Sequence, residues 1–277
     1  MNFINEFLEK NAIIDGYIKE NFFEKNENNK RITDFAEKRL FEDNPKLRAA
    51  VALGVYQLLD ADFIKLLPFA SCIELLSASV DIKEYAFGNI GNSRKSAHSP
   101  DDALTFRELI TAADAMNSLA YEFISFSDLP SSVISECLRT ISISMGLDGT
   151  LGSCLAKPPD NAAPSEEKYN FIEKKTAMQT ASLFMSGAWV GAIISGADIA
   201  DYGKIGSYAK KLGIAYHVLS YANGQHKSSA MPNLDVSGLR EYADNLLHDC
   251  REIISSFGDE SLFLRELAGY FPEIFEV

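Results

Sequence analysis

The chain predicts an all-α fold, and three observations carry that prediction. Apolar residues return at helical spacing from one end of the sequence to the other. No stretch sustains the two-residue alternation of a half-buried strand. The Asn223-Gly224 pair, a hairpin signal between β-branched runs, here sits between helical patterns instead.

The elements follow in order. Over residues 3–25, Phe3, Phe7, Ile14, Ile18 and Phe22 form a stripe with charges between them. Leu47, Val51, Leu53, Val55, Leu58 and Leu59 predict a helix over 47–60, followed by a second apolar helix over 63–80. Helical patterns continue over 103–126 and 131–146. Residues 89–102 are polar, contain Gly91 and Pro100, and read as a loop. Residues 157–165, KPPDNAAPS, form the clearest linker, since Pro158, Pro159 and Pro164 cannot continue a helix. A third loop covers 224–233. Long loops inside a helical domain are often functional. With 277 residues and no repeat, one domain over 1–277 is expected.

Thr176 to Ala197 contains no charged residue and is long enough to span a bilayer. It also holds Gln179, several hydroxyls, and Gly187, Gly191 and Ser195 at four-residue spacing. Small residues so placed let a second backbone approach closely. No other segment resembles it, so the expectation is a buried core helix and no membrane span.

Composition excludes several functions. Thirty-nine acids against twenty-six bases give a formal charge of −13, which repels nucleic acid and anionic lipid. Apolar residues make up 47% and mean hydropathy is −0.06, so disorder is also excluded. Cys72, Cys137, Cys154 and Cys250 are scattered, as expected of small buried hydrophobes in a reducing compartment. The opening MNFINEFLEKN has no basic segment ahead of an apolar run, so a cytoplasmic location is expected.

One ordered series of segments is more specific. Asn44-Pro-Lys-Leu-Arg48 is followed by Ile73-Glu-Leu-Leu76, Tyr169, Lys175-Thr-Ala177, Tyr208 and Leu212-Gly-Ile-Ala-Tyr-His-Val218. This series resembles the trans-polyprenyl diphosphate synthases, the family of farnesyl and geranylgeranyl diphosphate synthases, over roughly residues 44 to 232. The resemblance implies the isoprenoid-synthase bundle, antiparallel helices around a central cavity, usually paired as a dimer. It also implies a chemistry: an allylic diphosphate ionises, and three Mg²⁺ ions held by two DDxxD motifs stabilise the leaving diphosphate. Mg²⁺ prefers carboxylate oxygens, water and phosphate, and its Lewis acidity contributes several kcal/mol.

Both motifs are degenerate here. By that resemblance the first falls on Glu84-Tyr85-Ala86-Phe87-Gly88, where only Glu84 could bind metal. The second falls on Ser220-Tyr221-Ala222-Asn223-Gly224, which has no carboxylate. His217 replaces a family glutamine, and Thr150 and Ser153 stand where a Gln and an Asp are usual. Metal binding is therefore expected to be lost or weak, with no cofactor. The diphosphate-binding basic positions survive in part: Arg48 with Lys46 near it, Arg94, Lys95, Lys175, and Lys227 before Ser229-Ala-Met-Pro232. Each of these is also readable as a solvated surface charge. Tyr216, His217 and Thr176 are expected at the pocket, with Tyr85 and Tyr221 filling its mouth.

Other constellations have simpler accounts. Asp101-Asp102 suits a helix cap and first turn. Asp244, His248 and Glu252 repeat every four residues, as a solvated helix face does. A histidine beside Tyr216 in a packed helix is readable as a hydrogen-bonded structural residue or as a general base. No phosphate loop, nucleophile elbow or zinc spacing is present.

The resemblance thus implies a non-catalytic relative, acting as a regulatory or heteromeric subunit of an active prenyl diphosphate synthase, as a homodimer, or as a prenyl-chain binder. The alternative is an active, diverged prenyltransferase or terpene cyclase using Glu84, Asp81 and His217. Acid catalysis of that kind supplies about 10²–10⁴-fold.

Overall fold

The computed structural model describes residues 3–21, 30–42, 45–59, 63–89, 104–157, 159–160, 165–224 and 235–274. Among these residues the regular structure is helical and no strand occurs. The helices are α1 (Phe3–Asn21), α2 (Lys30–Phe41), α3 (Leu47–Leu59), α4 (Leu67–Asn89), α5 (Phe106–Ile124) and α6 (Ser131–Met145). The short α7 (Thr150–Ser153) leads to α8 (Ser165–Thr176), which passes through a π turn (Ala177–Ala181) into α9 (Ser182–Ser195). The chain closes with α10 (Ile199–Ala222), α11 (Val236–Ser255) and α12 (Leu262–Ile274).

Helices α3 and α9 occupy the centre. Nearly every residue of α3 is buried, as an apolar helix without a polar face requires. Its Ala49, Leu53 and Tyr56 pack with Ile14, Phe69 and Phe123 on one side. On the other side, Val51 and Val55 join Phe184, Leu212 and Phe271. One helix thus feeds two apolar clusters.

The helical run Glu166–Ser195 is long and apolar enough to cross a membrane by length and composition alone. In this fold more than half of its apolar stretch is buried against other helices. A methyl group placed on Gly187 would meet the Arg48 carbonyl oxygen at 2.9 Å, and one on Gly191 the Ala52 oxygen at 2.7 Å. The small-residue spacing therefore brings the α9 and α3 backbones together, as expected of a core helix. Ser195 departs from that stripe: its hydroxyl donates to the Gly191 carbonyl at 2.7 Å.

Several boundaries differ from expectation. The helix expected over 63–80 runs on through Asn89, after a 3₁₀ turn at Ile64–Leu66. Residues 84–88, expected at the first motif, therefore lie in the last turns of this helix. Helix α5 is capped at Thr105, whose side chain accepts from Glu108 N–H while the Glu108 carboxylate accepts from Thr105 N–H. Asp101 and Asp102 lie outside the described residues. Cys154 is exposed, unlike the three other cysteines, because the turn after α7 leaves it at the surface. Asp244, His248 and Glu252 are exposed on α11, as a solvated face should be.

Candidate functional site

Helix α4 builds one wall of the site. Glu74, Ser77, Asp81 and Glu84 are spaced three, four and three apart, so they share one helix face. Glu74 is fully buried, and its carboxylate accepts from the Ala49 N–H at 2.8 Å. That places a carboxyl oxygen against the first turn of α3, where the free N–H groups need an acceptor.

The facing wall is the π turn between α8 and α9. A π turn inserts an extra residue into the helical ladder, and such insertions recur at functional sites. Here it aims neighbouring side chains at two partners. Gln179 donates its side-chain amide to Glu84. The Thr180 hydroxyl lies 2.9 Å from Nδ1 of His217 on α10 and shares a hydrogen bond with it. Burial pushes the Glu84 carboxyl up to about 7, helped by Asp81 one turn away and opposed by Lys175, the Gln179 hydrogen bond and Arg48. Burial lowers the Lys175 ammonium pKa, and the nearby Glu84 charge works against that shift. Lys175 is 5% exposed. The Glu84 and Lys175 charges thus each offset part of the other's burial.

Arg48, at the start of α3, is enclosed rather than presented. Its guanidinium carbon lies 5.3 Å from the Phe184 ring centroid and 5.8 Å from that of Tyr216. Phe271 of α12 packs against both rings, 6.4 Å from Phe184 and 6.1 Å from Tyr216. Aromatic faces attract a cation by their quadrupole, and this enclosure leaves Arg48 only 7% exposed, with Nε unpartnered. Burial raises the Tyr216 phenol, against the pull of Arg48.

The remaining expected residues are divided. Tyr85 does not fill the pocket mouth: it turns to α2, where Arg39 stacks at 4.6 Å and Phe35 lies 6.2 Å away. It follows Glu84 directly, about 100° further round the helix, so the two cannot face the same way. Thr176 spends its hydroxyl on the Ile172 carbonyl at 2.7 Å, so it offers the pocket no donor. Ser220 is buried with its hydroxyl unpartnered, and Tyr221 is partly buried against the second apolar cluster. Gly224 ends α10 with φ +73°. Gly88 lies in the last turn of α4. Thr150 hydrogen-bonds the Ser182 hydroxyl at 2.8 Å, and Ser153 donates to the Thr150 carbonyl. Lys46 is buried against α1, paired with Asp15 at 2.7 Å. Arg94, Lys95 and Lys227 lie outside the described residues.

Sequence reasoning missed Gln179, which carries the contact to Glu84, and gave Glu74 no role. The signal for Glu74 was its register with Asp81 and Glu84. Nothing local marks Gln179, because its role depends on the π turn.

Among the described residues, no group of three or more His, Cys, Asp or Glu side chains is placed to hold a metal ion. Glu84 and Asp81 come from one wall, Glu84 is bound to an amide beside an ammonium, and α10 brings Ser220 and Tyr221. That donor set does not suit Mg²⁺, which wants carboxylate oxygens free to coordinate.

Solved structures with the same architecture identify the fold. A farnesyl/geranylfarnesyl diphosphate synthase from Zymomonas mobilis superposes with a TM-score of 0.77 at 18% identity, covering 97% of this chain and 99% of its own. The chain has the prenyl-synthase fold. A geranyltransferase from Helicobacter pylori gives a TM-score of 0.77 at 15% identity, over 100% of this chain and 99% of the other. The geranyl diphosphate synthase small subunit from Antirrhinum majus gives 0.74 at 16% identity over all of both chains. No family model and no curated protein sequence matches.

Proposed function

We propose that this chain is a non-catalytic member of the prenyl-synthase fold, acting as a subunit that modifies an active prenyl diphosphate synthase. The observation that carries this reading is the Glu84–Gln179 hydrogen bond beside Lys175. It ties up within the chain the one acid left at the former metal motifs. The enclosure of Arg48 supports the reading further, since a caged guanidinium is turned from an incoming diphosphate. Exposed aliphatic side chains on and around α7 support assembly: Leu147 is 78%, Leu151 41% and Leu155 76% exposed. Exposed apolar surface of that kind marks interaction sites. The similarity to a small subunit of geranyl diphosphate synthase fits the same reading.

The test is turnover by the purified chain with labelled isopentenyl diphosphate, allylic diphosphates and Mg²⁺, with an intact synthase as positive control. The expected result is no product from the chain alone, and altered product length or rate when it is mixed with its synthase partner. Product from the chain alone overturns the proposal.

One observation favours an active enzyme instead. A carboxyl pushed up to about 7 is suited to general acid chemistry near neutral pH. In that reading Glu84 gives its proton to the diphosphate as the carbon–oxygen bond breaks, the bonding pair leaving with oxygen and an allylic cation remaining. Diphosphate release that disappears in Glu84→Gln would establish it.

A further inference from the structure

A second concavity lies away from the central cleft, between the α6–α7 edge and the helices α8, α9 and α10. It encloses about 730 Å³, within the range of small-molecule sites. Its floor is Ile143, Met178, Met185 and Trp189. Methionine side chains adapt to irregular apolar shapes, and the Trp189 indole adds a large flat wall against Gly206 of α10. Ile143 is 55% exposed, so the floor includes apolar surface left open by the described residues.

The rims differ in charge. On the α8–α10 side stand Lys174, Lys210 and Glu173, two ammonium groups for one carboxylate. Glu173 reaches Lys210 only at 3.8 Å, and Lys174 has no ion-pair partner among the described residues. Asp148 is the charge on the α7 side. In a chain with thirteen excess acids, a groove edge with surplus positive charge stands out against its surroundings.

The geometry points to this groove as a binding site for a single-chain amphiphile, its apolar tail on Met178, Met185 and Trp189 and its anionic head at Lys174 and Lys210. A prenyl phosphate and a fatty carboxylate share that chemistry. The site does not use Glu84, Arg48 or Lys175, so it stands apart from the function proposed for the cleft. The two are neighbours all the same. Ala177 and Met178 of the π turn line the groove, while Gln179 and Thr180 of the same turn bond Glu84 and His217.

Trp189 is the single tryptophan of the chain and reports on the groove directly. Its emission would be titrated with dodecanoate, farnesyl diphosphate and, as a neutral control, dodecanol, each below its micelle concentration. The expected result is a saturable change at one ligand per chain for at least one anion, and weaker binding of dodecanol. The anion bound more tightly identifies the source. Lys174→Glu should weaken the anion roughly tenfold or more, the worth of a charged hydrogen bond, and leave dodecanol unaffected. Met185→Glu should weaken all three, and a retained helical spectrum and melting transition would show both variants folded. Three outcomes overturn the proposal: no saturable change, equal binding of dodecanol and the anions, or no effect of Lys174→Glu. A change with farnesyl diphosphate that Glu84→Gln abolishes and Lys174→Glu does not would overturn it too, by placing that ligand in the cleft. So would a chain dimer, seen by sedimentation, that Met178→Glu dissociates, since the groove would then belong to a second copy.

Discussion

Gln179 of the π turn donates its side-chain amide to the carboxylate of Glu84 on α4, joining the two walls of the central cleft. Two helices meet here through a polar contact, with Lys175 as the neighbouring charge. Here the acid is answered from within the chain.

A pH dependence follows from Glu84. Unfolded, its carboxyl titrates near the ordinary value of 4.5; folded, it is pushed up to about 7. Between those values the native state holds a proton that the unfolded state has lost. Stability therefore falls as pH rises through that window and levels off above about 7. The loss is about 2 kcal/mol, after discounting the shift for water reaching the partly exposed side chain. Urea unfolding at pH 5 and pH 8 should show that loss in the native chain and little of it in Glu84→Gln. Parallel behaviour of the two proteins would refute the assignment.

The Arg48 cage makes a different prediction. If the guanidinium is held by Phe184 and Tyr216, Arg48→Ala removes packing as well as charge, at a cost of about 2–3 kcal/mol. Arg48→Lys should recover less than half of it, since an ammonium lacks the planar face. Chemical denaturation measures both. An Arg48→Ala chain of native stability that has lost diphosphate binding would show instead a residue presented to ligand.

Close backbone approach is testable at two glycines with opposite outcomes. Gly191→Ala drives a methyl group to 2.7 Å from the Ala52 carbonyl oxygen, and the α3 backbone has little room to retreat. A loss of about 1–3 kcal/mol is expected from such overpacking. Gly203 on α10 has nothing within 4 Å of the corresponding position. Gly203→Ala should therefore stabilise by up to about 1 kcal/mol through helix propensity. Thermal melting of the two variants should move in opposite directions.

The start of α5 depends on a reciprocal pair, the Thr105 hydroxyl on Glu108 N–H at 3.3 Å and the Glu108 carboxylate on Thr105 N–H at 2.7 Å. Thr105→Ala should cost about 1 kcal/mol, and Thr105→Ser should restore most of it. An unchanged midpoint in urea for the alanine variant would show that α5 starts without help from this cap.

The sequence by itself determined the helical character, the central place of the 176–197 segment and the approach of a second backbone at Gly187 and Gly191. Each rests on a local property, apolar period or side-chain size, that neighbouring residues state together. It also placed Arg48, Lys175, Glu84 and His217 among the residues to examine, through an ordered series of short segments. Tertiary structure alone decided what each of them touches. Arg48 lies between rings from α9 and α10, Tyr85 turns to α2, and Glu84 meets a glutamine ninety-five positions away. These pairings depend on how helices are rotated against one another and on one extra residue in a π turn. A shift of one residue turns a side chain by about 100°. The helical period survives that shift, but the identity of the partner across the cleft does not.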